Sequence, residues 1–153
     1  MIMVQPQAPG GVTLRMKPTM GLELAQVVAS GAFREAKTNG WNVTIAIVDD
    51  GANLCYLAKM DGCQLGSVTV AQEKAAGALK FKRPTRAMQD LVKDNNVHMM
   101  SLPGLVPVEG GVPIIVQDHV VGAIGISGVT SAQDGQIAAA GLAELARMQI
   151  NIA

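Results

Sequence analysis

Residues 42–60 read NVTIAIVDDGANLCYLAKM: two runs rich in β-branched and apolar side chains on either side of Asp50-Gly51. A short Asp-Gly step between two such runs favours an antiparallel hairpin. A second pair, VPIIVQ and VVGAIGIS, meets around Asp118-His119 and predicts another hairpin. Helical segments flank the hairpins. Thr19 can cap a helix whose Leu22, Ala25, Ala29, Ala32 and Ala36 recur at helical spacing, with Asn39-Gly40 as its stop. An alanine-rich helix is predicted from about Leu65 to Leu79, and another begins at Pro84, a residue suited to a first helical turn. Residues 95–109 read as a long loop, and Ile137, Gly141, Leu145 and Met148 form the apolar stripe of a closing helix. The order is helix, hairpin, helices, hairpin, helix. No strand-helix-strand alternation is present, so the prediction is an α+β fold with one central antiparallel sheet flanked by helices in three layers, α-β-α.

Composition bounds what such a domain can do. The 153 residues suit one domain, 19–153, preceded by an arm, 1–18, in which three prolines fall without a hydrophobic period. Twelve basic and twelve acidic residues cancel, which removes the electrostatic footprint of a nucleic-acid or anionic-membrane binder. No apolar run reaches the roughly 20 residues that span a bilayer. The start has no basic segment followed by a continuous apolar one, so a cytoplasmic location is expected. Cys55 and Cys63 match neither a zinc knuckle nor a CxxC pair and are expected as reduced, partly buried thiols.

The glycines can serve geometry or a ligand. Gly122, Gly125 and Gly128 do not have the spacing of a dinucleotide-binding fingerprint, nor its place between a strand and a helix. Gly125 implies a strand that lets another backbone or a ligand come close. Gly110 and Gly111, where a loop enters a strand, can offer their amides as an anion-accepting nest. Lys74 on the alanine-rich helix is the matching cation, able to hold a carboxylate; its neighbour Glu73 points another way on a helix, and Asp61 can accept backbone amides in a turn or move a proton. His98 and His119 are the only histidines. His119 is expected exposed at a hairpin tip, and His98, opening HMMSLPG, is the better candidate ligand. Nine methionines add soft ligands, and the absence of CxxCH excludes covalent haem.

VDDGANLCYLAKMDGC, AQEKAAGA, EGGVPI and GAIGISG, followed by Asp134 and the AAAGLA helix, resemble the GlcG/HbpS-like family over residues 20–148. The resemblance implies a profilin-like fold, homo-oligomers of four to eight chains, and non-covalent haem binding or haem handling. It equally brings to mind domains fused to cobalamin adenosyltransferases and accessory proteins of catabolic clusters. Two departures alter the polarity of the implied pocket: Lys59 to Cys63 read KMDGC where relatives commonly read RMDGA, and Ala76-Gly77 stand where many carry threonine. Two functions follow as expectations, with an oligomeric scaffold that binds no ligand as a third possibility. In one, an apolar slot between subunits holds haem and His98 or a methionine ligates the iron. In the other, a small catabolic enzyme holds a carboxylate-bearing substrate with Lys74 and the Gly110-Gly111 amides, while Asp61 or Glu73 moves a proton. The candidate catalytic residues are thus Lys74, Glu73 and Asp61, and the candidate ligand-binding residues Met60, Gly62, Phe81, His98, Gly110, Gly111 and Ser127.

Overall fold

In a computed structural model that describes residues 1–5 and 10–152, the chain folds as α1 (Leu22–Thr38), β1 (Thr44–Asp49), β2 (Leu54–Lys59), α2 (Gly66–Phe81), α3 (Thr85–Lys93), a 3-10 turn (Val97–Ser101), β3 (Gly111–Val116), β4 (His119–Ser127) and α4 (Ser131–Ala146). Residues 6–9 of the expected arm and the last residue of the expected domain lie outside the described residues. The strands form one antiparallel sheet in the order β2-β1-β4-β3, so the two hairpins join through their inner strands. Helices α1 and α4 pack on each other and on one face; α2 covers the other. This is the three-layer α+β arrangement the hairpins predicted.

The two faces are chemically unequal. Ile45, Ile47, Ile124 and Ile126 point to α1 and α4 and meet Ala25, Ala29, Ala32 and Ile137 in the main core. The opposite face is built from small residues. Ala46, Gly125 and Gly111 are cross-strand partners on three neighbouring strands, a smooth lane on which α2 lies. A Cβ at Gly125 would collide with the Ala71 carbonyl and sit 2.5 Å from the Ala75 nitrogen, and one at Gly111 would strike the Lys74 carbonyl. The close backbone that Gly125 admits is therefore helix α2. Side-chain-free positions let the helix approach, and Val48 and Ala123 close against Ala75, Ala78 and Leu79.

Several local expectations are corrected. Thr19 does not cap α1, because the helix starts after Gly21, and its hydroxyl instead donates to Asp50. The first hairpin turns through four residues, Asp50 to Asn53, with Ala52 rather than Gly51 carrying the positive φ of 62°. Its shape is set by the Asp49 carboxylate, which accepts the Gly51 and Asn53 amides at 2.8 and 2.9 Å. In the second hairpin Gln117 and Asp118 make the turn, both at positive φ (47° and 65°) as a type I′ turn needs, and His119 already belongs to β4. Pro84 precedes α3 rather than opening it. Met148 lies beyond α4, half exposed, while Ile137, Gly141 and Leu145 are the stripe that is buried.

Candidate functional site

Helix α2 places Ser67, Ala71, Lys74 and Ala78 on its sheet-facing side by their helical spacing. Lys74 is only 1% exposed. Its ammonium donates to the Asp134 carboxylate at 2.8 Å and to the Ile126 carbonyl at 3.0 Å. Asp134 sits in the first turn of α4, where its second oxygen accepts the Val129 amide at 3.2 Å. Burial pushes the Asp134 carboxyl above the ordinary carboxylate range, an effect that Lys74 and the Val129 amide oppose and the nearby Glu109 reinforces.

Gly110 closes this centre. Its φ is +133°, and a Cβ there would come within 2.9 Å of the Lys74 nitrogen. The structure thus brings Lys74 and Gly110 together, yet the anion beside Lys74 is the chain's own Asp134. Nor is the expected nest open: Gly111 is buried, and its amide donates to the Thr85 hydroxyl at 2.9 Å. A glycine entering a buried strand must have its amide satisfied, and Thr85 at the start of α3 does it.

The other candidates fall elsewhere. Glu73 is exposed on α2, turned away from Lys74 as adjacent helical positions must be. Phe81 ends α2, half-buried. Ser127 is buried at the end of β4, donating to Ser67 at 3.1 Å, with Gln64 donating to the same hydroxyl and Thr44 3.4 Å from the Cys63 sulfur. Both cysteines are free; burial raises the Cys55 thiol above its ordinary range, with Asp49 adding to it. His98 is exposed on the 3-10 turn and His119 exposed at the start of β4.

Met60 and Asp61 line a groove of about 530 Å³ with Phe33 and Lys37 of α1, Trp41, and Lys59 at the end of β2. Gly62, at φ +82°, keeps the turn beside it tight against Asn42. The Lys37 ammonium lies 5.8 Å from the centre of the Phe33 ring. The groove thus gathers two aromatic rings, a thioether, two ammonium groups and one carboxylate. Sequence reasoning named Met60 and Asp61 but missed Phe33, Trp41 and Lys37, which reach the groove from a helix and its exit turn. Asp134 was missed as a partner too. A lysine on the small-residue face of a helix signals one, because a buried ammonium needs a counter-charge.

Comparison with known proteins agrees with this architecture. Residues 20–143 match the family model for HbpS-like proteins, described as haem degrading protein HbpS-like. Protein GlcG of Escherichia coli K12 is 36% identical over 114 residues, covering 74% of this chain and 85% of GlcG. Among solved structures, a double mutant of Streptomyces reticuli HbpS is 28% identical and superposes with a TM-score of 0.79 over 92% of this chain and 96% of that one. Klebsiella pneumoniae ORFY, a DUF336 protein, shares the fold at a TM-score of 0.82 and 23% identity, over 92% of this chain and 100% of that one. The chain belongs to the HbpS-like family.

Proposed function

We propose that this protein binds haem non-covalently, in the groove between Phe33, Trp41 and Met60, and assembles as a homo-oligomer of four to eight chains. The observation that carries the haem reading is the composition of that groove: Phe33 and Trp41 offer apolar faces, Lys37 and Lys59 stand where propionates can pair, and Met60 supplies a soft thioether. Bound haem would supply the iron chemistry; the chain's own part is to desolvate the macrocycle and neutralise its carboxylates. Family membership supports the same reading. His98 is a surface group and enters the iron's coordination only if a second chain covers the 3-10 turn. Assembly is supported by exposed apolar side chains on the N-terminal segment, Ile2 and Leu14, and on the edge strand β2, Leu54 and Leu57.

The enzymatic alternative relies on Lys74 and the Gly110-Gly111 amides meeting a substrate; Lys74 and the Gly111 amide are held by internal partners, and Gly110 is buried beside them. It therefore has less support than haem binding.

A haemin titration followed in the Soret band tests the reading. The expected result is a sharp, saturable shift that Met60→Ala alters and Trp41→Ala weakens, with light scattering giving a multiple of the 15.9 kDa chain. A broad, unsaturable shift, or variants indistinguishable from the parent, would overturn the groove, and a monomer mass would overturn the assembly.

A further inference from the structure

We propose a second binding site, for a compact dianionic oxyanion, in the concavity between the two hairpin turns and the C-terminal end of α2. The concavity measures about 680 Å³ and is bordered by Arg15, Lys17, Lys80 and Lys82, against which stand only Asp50 and Asp118. Four cations face two carboxylates, a surplus of two positive charges that a dianion neutralises. One carboxylate is already committed. Asp50 pairs with Lys17 and accepts the Thr19 hydroxyl, and these bonds hold it below the ordinary carboxylate range. Among the described residues Arg15, Lys80 and Lys82 make no ion pair. His119 adds an imidazole at the rim.

The dipole of α2 accounts for a basic last turn, and so for Lys80 and in part Lys82. It does not account for Arg15, which the segment before α1 delivers through the anchoring of Lys17 and Thr19 on Asp50. Nor does it account for the backbone. Asp118 has its positive φ from the type I′ turn and Ala52 from the turn of the first hairpin, but Lys82 at +52° occupies a conformation that glycine or asparagine ordinarily takes at a helix end. A glycine at 82 would cap α2 with less strain and would remove one cation from the rim. Strain of this kind persists where the side chain has a use, and Lys82 borders the concavity with its ammonium. The ligand is an oxyanion of the phosphate or dicarboxylate kind, since ammonium and guanidinium groups recognise both by charge-assisted hydrogen bonds.

The test is calorimetric titration of the full chain with inorganic phosphate, pyrophosphate and malonate at low salt. Saturable binding is expected for at least one, with affinity falling as salt rises and dropping at least tenfold in Lys80→Met/Lys82→Gly. Lys93→Met, on the exposed end of α3, should bind like the parent. Malonate binding more tightly than either phosphate assigns the site to dicarboxylates; tighter binding of the phosphates assigns it to phosphate. Lys82→Gly by itself should melt at a higher temperature while binding more weakly, which separates lost binding from lost folding. If none of the three anions saturates, or if the double variant binds like the parent, the proposal is overturned. Neither result bears on the Phe33–Trp41 groove, which the haemin spectrum reports.

Discussion

Replacing Lys74 with methionine keeps a similar apolar stem and removes one charge from a centre that is almost fully enclosed. Asp134 then remains buried with a single hydrogen bond from the Val129 amide, and the Ile126 carbonyl loses the donor 3.0 Å away. Breaking a buried pair on one side costs about 3–5 kcal/mol, because the remaining charge keeps its desolvation penalty without its partner. Removing both charges is cheaper. In Lys74→Met/Asp134→Leu no ion is buried, and the orphaned groups are one carbonyl and one amide, about 1 kcal/mol or somewhat more apiece. The double variant should therefore be more stable than Lys74→Met, which requires a strong favourable coupling between the two sites. Urea denaturation with an unchanged slope measures both quantities.

The pH dependence has a definite sign. Asp134 has a native pKa above its ordinary 3.8, so its contribution to stability is fully present below that value and is lost as the pH rises through the native pKa. Without Lys74, whose charge opposes the rise, the native pKa moves higher still, so the deficit of Lys74→Met should be larger at neutral pH than in acid. A loss under about 1 kcal/mol at pH 7, or a double variant less stable than the single one, would refute the argument that an enclosed charge pair dominates this site.

Gly125→Ala should cost about 3 kcal/mol or leave the chain insoluble, since the new methyl overlaps the backbone of α2 and a packed helix cannot yield cheaply, whereas Gly66→Ala, with no atom within 4 Å of its added carbon, should fold normally. Denaturation midpoints of the two variants compare them directly. Thr130→Ala removes the hydroxyl that accepts the Gln133 amide at the start of α4 and leaves the Thr130 backbone amide donating to the Gln133 side chain, and a loss of about 1 kcal/mol is expected by the same assay.

The sequence alone was enough for the architecture. Two β-rich pairs with turn residues between them, flanked by segments at helical spacing, admit one antiparallel sheet under helices, because both signals are local and repeat along each element. Residues 74, 110, 111 and 134 were visible as a lysine, a glycine pair and an acid within the stretches that carry the family resemblance. Their chemistry was not. Whether Lys74 meets a ligand or a carboxylate of its own chain depends on how α4 lies against β4 and α2, a separation of 60 residues that no local pattern encodes. The same holds for Gly111, whose amide is free or satisfied according to where α3 begins, and for Trp41 and Phe33, which join Met60 only because α1 packs against β1 and β2. Hydrophobic periodicity tells which side of an element is buried, but the partner a buried polar group finds there is set by packing between elements distant in sequence.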